Sequence, residues 1–289
     1  MEVIAYKLTC LTNLHMGGSG TNLGVIDLEV ERDPILGEPT MNASGVKGAL
    51  RDHCEALMAC QEDPDQDGDI RKIFGTSSSG DVAGSYAFFQ GDLLARPVRI
   101  SKGTGSYLLA TSRELIKNFT EKLWEFCWDG WQEELWGETL PALPKGDKVI
   151  TNADGCHGVE GFQVAKAESK LLDRLLGEKK WVLMSAEQLR SIDLPVVTHN
   201  VLRNGTAANL WFEEYVPHHS VFGLLIGRPN GDKTFQEILS EMEERDKDRF
   251  GEEILYRNVI QFGAEASTGC GYVRMEEIKC EQKGNRGPV

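Results

Sequence analysis

The chain has 289 residues, 40% of them apolar, with a formal charge of −14 and seven cysteines. That length and composition build a substantial core and exclude a disordered class. No stretch approaches the ~18 apolar residues of a membrane span, and the N-terminal MEVIAYKLTC lacks the basic-then-apolar pattern of a secretory leader.

The cysteines are odd in number and scattered, with no Cys-x-x-Cys pair. This excludes a disulfide framework or a structural zinc site and suits reduced thiols in a cytoplasmic protein. The acidity argues at first against a nucleic-acid partner, but it is concentrated. Residues 61–70 and 237–253 carry −5 each, which leaves −4 for the remaining 262 residues and room for a local basic groove.

In chain order, Glu2 to Leu14 alternates loosely and predicts a strand. A glycine-rich loop follows (LHMGGSGTNLG), then Val25-Ile26-Asp27-Leu28, where a carboxylate interrupts an apolar run. Ser44 offers an N-cap for a helix from Gly45 to about Cys60, with Val46, Ala49, Leu50, Cys54, Leu57 and Met58 on one stripe. Residues 61–85, acidic and then Gly/Ser-rich, read as an exposed connection. Tyr86 to Leu94 reads as a second strand, followed by a basic piece, Arg96, Arg99 and Lys102. Residues 112–136 spell an amphipathic helix ending near Asp129-Gly130, whose Trp124, Trp128, Trp131 and Trp136 either line a core stripe or stack bases.

Residues 195–217 carry the clearest local signal, since Asn204-Gly205 is the strongest short hairpin turn and is flanked by apolar runs. A two-residue turn sets Arg203 opposite Thr206 and His199 opposite Leu210. Thr234 to Arg249 is a charged helix, and Asn258 to Met275 reads as strand, glycine-rich loop, strand. Both ends of the chain thus join an apolar strand to a glycine loop, as expected of two similar βαβ-type halves sharing one sheet.

Glycines 17, 18, 20 and 24 let backbone N–H groups approach a phosphate. Neither G-x-x-x-x-G-K-[ST] nor G-x-G-x-x-G occurs in the required context, so contact with a polynucleotide backbone fits better than an ATPase or dehydrogenase. Asp27 has three readings: a turn cap, a group that orients or deprotonates a ribose 2′-hydroxyl, or the anchor of a divalent cation that keeps its waters. His15 is either structural or a second acid/base or phosphate contact. In Glu213-Glu214-Tyr215 consecutive side chains point to opposite faces, so one Glu serves a site while the other meets solvent, or the run is simply solvated. His218-His219 lacks a third ligand at metal spacing and reads as incidental.

Four blocks together resemble the RAMP superfamily: LHMGGSGTNLGVIDLEVERDPILGEP, the Ser44-Gly45-Val46-Lys47-Gly48-Ala49-Leu50-Arg51 stretch, LWFEEYVP and QFGAEASTGCGYVRM. They span about residues 1–58 and 160–278. Within that superfamily they are most similar to the repeated backbone RNase subunit of type III-B (Cmr) CRISPR effector complexes. The sister type III-A subunit shares the Asp loop and thumb, but its E-E-Y strand usually differs.

The resemblance implies an α+β fold over residues 1–289: an RRM-like (ferredoxin-like) core, a projecting β-hairpin thumb at 193–217 and an insertion with helices at 61–160. It implies copies stacked head to tail on a CRISPR guide RNA beside other Cmr subunits, cutting paired target RNA at regular intervals. Carried over position by position, Asp27 is the catalytic aspartate and holds Mg²⁺ or Mn²⁺, with His15, Glu213 and Tyr215 as accessory catalytic residues. Gly17, Gly18, Gly20, Ser44, Lys47, Arg51, His199, Gly269 and Gly271 are the RNA-binding set. The family usually has aromatic-Ile-Pro-Gly-Ser before the basic helix, where Thr40-Met41-Asn42-Ala43-Ser44 stands here. A catalytically silent guide-binding scaffold and a stand-alone guide-processing nuclease are the alternatives.

Overall fold

The computed structural model describes residues 1–18, 24–58, 67–76, 82–127, 139–177, 179–203, 206–250 and 258–279. Strand β1, Glu2–Cys10, ends four residues short of the predicted Leu14. Leu14 instead makes an isolated antiparallel bridge to Val216. After the short β2, Thr40–Met41, helix α1 spans Ala43–Met58. Its cap is Asn42 rather than Ser44: the Asn42 side-chain oxygen accepts from both the backbone N–H and the hydroxyl of Ser44, while its carbonyl takes the first helical bond from Val46. Asn caps as well as Ser does, and standing two residues earlier it starts the helix at Ala43 instead of the predicted Gly45. The predicted stripe is core, with Val46, Leu50 and Cys54 buried.

Residues 61–85 are more than an exposed connection. They contain α2, Gly68–Phe74, capped by Asp67 and burying Ile70, Ile73 and Phe74. Strand β3 is Ala87–Phe88 and β4 runs Gly91–Gly103, so the predicted second strand is interrupted and then continues through the basic piece. Arg96, expected with that piece, is buried. Strand β5, Tyr107–Ser112, leads into α3, Arg113–Phe126, with Ser112 as N-cap. The predicted helix beyond it, with Trp128, Trp131 and Trp136, lies outside the described residues; Trp124 is half-buried.

Four short strands follow: β6 Lys148–Thr151, β7 Cys156–Val159, β8 Phe162–Lys166 and, after α4 at Lys170–Leu176, β9 Trp181–Met184. Helix α5, Ala186–Arg190, opens with a capping box between Ser185 and Gln188. The hairpin is β10 Val196–Arg203 and β11 Thr206–Glu214. Then come β12 Val221–Arg228, α6 Phe235–Phe250, β13 Val259–Gln261 and β14 Tyr272–Glu277, with a 3₁₀ turn at Ala266–Thr268.

The result is a mixed α/β fold on a sheet of twelve strands among the described residues, ten of them in the order β13-β14-β1-β12-β4-β5-β9-β6-β8-β7, with β2 added beside β4 and β3 beside β12. The first part is antiparallel, with β1 between β14 and β12. Strand β4 is long enough to serve two neighbourhoods. Its first residues pair with β12, and its last pair with β7, closing β4-β5-β9-β6-β8-β7 into a ring. One core lies between the antiparallel strands and helices α1 and α6, around Tyr6, Leu8, Leu50, Phe235 and Met275. A second lies under α3 and α4, around Phe119, Leu172, Trp181 and Leu225.

The hairpin stands apart as its own two-stranded sheet. Val196, Val197, Val201 and Leu210 expose 40–55% of their surface. Arg203 pairs with Thr206 as predicted, but the register slips between Leu202 and Val201, so His199 lies opposite Trp211 instead of Leu210. One inserted residue in the return strand moves every later residue across the pleat.

The five described cysteines are free, and four of them are buried. Burial pushes the thiols of Cys10, Cys54 and Cys127 up to about 12, the behaviour of small core hydrophobes. Among the described residues no helix is long and apolar enough to cross a membrane.

Candidate functional site

The glycine loop and the base of the hairpin meet. Gly17 bridges Val30, Gly18 donates to the Glu29 carbonyl, and Glu31 donates to Met16, so residues 16–18 and 29–31 run side by side. Gly20 lies outside the described residues. The outgoing limb then pairs with β11: Asp27 and Leu28 both donate to the Phe212 carbonyl, and Glu214 donates to the Leu28 carbonyl.

Asp27 is exposed. One of its carboxylate oxygens, Oδ2, accepts from the Phe212 backbone N–H at 2.8 Å. The carboxylate therefore bonds to the hairpin instead of capping a turn of its own loop: that bond fixes where the acid sits, and the group still faces solvent.

One residue further along β11, the two glutamates point to opposite faces as strand geometry demands, but neither meets solvent. Glu213 and Glu214 are 2% and 5% exposed. The Glu214 carboxylate accepts from Arg32 at 2.5 Å and from the Val30 backbone N–H at 3.2 Å. Sequence reading missed this role because the arginine is 182 positions away. Glu213 lies between two imidazoles, with Oε1 3.4 Å from His15 Nδ1 and Oε2 3.2 Å from His199 Nε2.

His15 is buried, and its Nδ1 lies 2.8 Å from the Glu214 carbonyl. A carbonyl only accepts, so Nδ1 carries the proton. His199 stacks on Trp211 with ring centres 5.2 Å apart and touches the Tyr215 hydroxyl at 3.1 Å. Tyr215 is buried against the edge of His15. Burial first, then the hydrogen bond to Glu213 and its charge, pushes the phenol above its ordinary range. Tyr215 is therefore a neutral hydrogen-bonding group and not a base. His15, His199, Glu213 and Tyr215 form one cluster directly behind the strand that holds Asp27.

The remaining predicted residues divide. Lys47 is half-buried and Ser44 exposed on the first turns of α1. The Arg51 guanidinium is committed inside the fold, to Glu55 at 2.6 Å and the Gly75 carbonyl at 2.9 Å. Gly269 and Gly271 sit in the β13–β14 connection. At Gly271 φ is +82°, and an added Cβ would lie 2.0 Å from the Phe262 carbonyl oxygen, so the backbone itself demands glycine there.

Gly263, which sequence reading passed over, supports His15 in the same way: φ is +75° and an added Cβ would stand 2.1 Å from the His15 carbonyl oxygen. Gly263→Ala is expected to cost more than about 1 kcal/mol, lowering the melting temperature by at least about 2 °C in a thermal unfolding scan.

The RAMP superfamily model matches residues 7–274. The chain is 24% identical over 302 aligned residues to the CRISPR system Cmr endoribonuclease Cmr4 of Pyrococcus furiosus, covering 95% of both. Among solved structures it resembles a chain of the type III-B Cmr-beta complex in its apo state, with a TM-score of 0.74 at 20% identity over 96% of this chain and 98% of that one. A chain of Cmr-beta bound to cognate target RNA gives 0.70 at 19% identity, covering 96% and 98%. Oligomeric Cmr4 from Pyrococcus furiosus gives 0.63 at 18%, covering 96% and 99%. With four sequence blocks, a family model spanning most of the chain and the fold in agreement, this chain belongs to the RAMP superfamily.

Proposed function

We propose that the chain is the guide-RNA-binding backbone subunit of a type III-B CRISPR effector and cuts target RNA at Asp27. The carrying observation is the Asp27 carboxylate, exposed yet fixed at the base of the hairpin by the Phe212 N–H. Support comes from a relative of matching length named an endoribonuclease and from neighbours described as bound to cognate target RNA and as oligomeric. The order β14-β1-β12-β4, with α1 and α6 as the crossovers, supports the ferredoxin-like reading of the core. The exposed valines and Leu210 suit β10–β11 to act as a thumb that wedges between base pairs. Copies stacked head to tail on guide RNA, beside other Cmr subunits, belong to the same reading.

Asp27 takes the proton of a ribose 2′-hydroxyl. The 2′-oxygen bonds to the adjacent phosphorus, the bond from phosphorus to O5′ breaks, and O5′ leaves with a proton from water. The cluster of His15, Glu213, His199 and Tyr215 holds the hairpin base and the loop in register. Among the described residues no three His, Cys, Asp or Glu side chains converge on a metal site. A single exposed carboxylate fits a hydrated Mg²⁺ or Mn²⁺ that RNA phosphates complete, and does not fit a preformed cage. Bound there, the ion would neutralise charge on the phosphorus centre.

The test is to assemble the chain with its partner subunits on guide RNA and add end-labelled complementary RNA. Regularly spaced fragments ending in 2′,3′-cyclic phosphate and 5′-hydroxyl are expected. Fragments with 3′-hydroxyl ends would assign the attack to water and overturn the role given to the 2′-oxygen.

A further inference from the structure

Away from Asp27, one end of the sheet gathers cations and aromatic rings. Along β1, Val3 and Ala5 are buried in the core with α3 and α4, but Lys7 two residues on reaches the surface and pairs with Glu276 at 3.3 Å, its side chain 20% exposed. Directly opposite on β14, Glu276 pairs with Lys7 and Arg274 with Thr9, so all four side chains share a face. Arg274 and Glu276 are exposed.

Strand β9 brings more charge to this corner. Trp181 pairs with Leu109, and Leu109 N–H donates to the Lys180 carbonyl, so Lys179 stands level with Tyr107 on the neighbouring strand. The Tyr107 ring stacks on His219, with centres 5.0 Å apart and planes 6° apart. His219 N–H donates to the Cys10 carbonyl at the end of β1, which seats the ring pair over the same corner.

The electrostatics agree with this placement. Burial, and then the like charges of Lys7 and Arg274, lower the Lys179 ammonium from its ordinary value, with Glu276 as the opposing carboxylate. Burial, then His218 and Lys179, lowers the His219 imidazole, so that ring is uncharged at neutral pH and acts as an aromatic surface. Crowded cations repel and do not stabilise a fold by themselves. In a chain of formal charge −14, their collection beside a ring that is 38% exposed, Tyr107, calls for an anionic ligand with flat groups.

We infer that Lys7, Lys179, Arg274 and the Tyr107–His219 pair form a second RNA-contact surface, which takes phosphates of a single strand at the cations and one base on the Tyr107 ring. This inference rests on the RNA-binding reading of the chain. The backbone ties this corner to the Asp27 region: His218 donates its backbone N–H to the Asn13 side chain, Gly271 donates to the Asn13 carbonyl, and the buried Leu14 bridges Val216 beside His15 and Tyr215. Single-strand binders pair basic grooves with stacking rings in this manner.

The test measures binding of the purified chain to single-stranded RNA across a salt series. Wild type, K179A/R274A, Tyr107→Ala and Tyr107→Phe are compared, each checked for an unchanged thermal melt. Removing two phosphate contacts is expected to lower the slope of log K against log salt by about 1.4, or about 0.7 for each. Tyr107→Ala is expected to weaken binding roughly tenfold at an unchanged slope, while Tyr107→Phe binds as wild type does. Wild-type binding with the same slope in K179A/R274A overturns this surface alone. A wild type that binds no RNA at all overturns the proposed function with it. Unchanged RNA binding combined with loss of the other subunits from the assembly also overturns it, and assigns the patch to an acidic protein partner.

Discussion

Asp27→Asn is expected to assemble on guide RNA as the wild type does while target cutting falls by about 10²–10⁴-fold, the usual contribution of a positioned proton acceptor. Asparagine suits this test because its side-chain oxygen still accepts from the Phe212 N–H at the 2.8 Å position, so the loop stays on the hairpin. Alanine loses that bond as well and mixes displacement with lost chemistry. The measurement is single-turnover cleavage of labelled target by the assembled complex, with assembly followed by electron microscopy on guide RNA. Intact assembly with unchanged cutting assigns the chain to the silent-scaffold role and moves the chemistry elsewhere. Because Glu213 and its ring partners sit behind the strand and do not depend on the Asp27 charge, the melting temperature is expected to stay within about 2 °C of wild type, as for an exposed isosteric change.

The features legible in the sequence are those specified over a few residues. The apolar stripe of α1 and the Asn204-Gly205 signal between two apolar runs identify a helix and a hairpin without help from the rest of the chain. What escaped depends on distant partners or on a single residue of register. The slip in the hairpin changes the partner of His199 from Leu210 to Trp211, and no local pattern announces one extra residue. Glu214 reads as a solvated acid until Arg32 and the Val30 N–H are brought to it. The closure of β4 through β9 into a ring rests on pairings such as Ile100 with Val159, far apart in the chain. A catalytic role for Asp27 is what the family resemblance implies, while its anchorage by the Phe212 N–H is visible only in the fold.

Arg96 and Glu38 make the same point about distance and carry the largest expected effect on stability. Both are nearly sealed from solvent, at 3% and 5% exposed. The Arg96 Nε lies 3.4 Å from Glu38 Oε2, and its Nη2 donates to the carbonyls of Leu189 and Ile192 at 2.7 Å each. Burial raises the Glu38 carboxyl above its ordinary value, with Arg96 the strongest opposing charge. Arg96→Ala leaves that carboxylate without its nearest cation and two carbonyls without a donor. A loss of about 3–5 kcal/mol is expected, or a fall in melting temperature on the order of 10 °C.

A carboxyl whose folded value is raised contributes stability below its unfolded value and loses it as pH rises through the folded value. Without Arg96 the Glu38 value climbs further, so the deficit of Arg96→Ala is expected to be larger at pH 8 than at pH 5 in paired thermal scans. A deficit independent of pH would assign the loss to the two carbonyls and not to Glu38. E38L/R96M, which removes both charges and refills the volume, is expected to recover part of the stability. Full recovery is prevented by the carbonyls of Leu189 and Ile192, whose missing donor still costs about 1–3 kcal/mol.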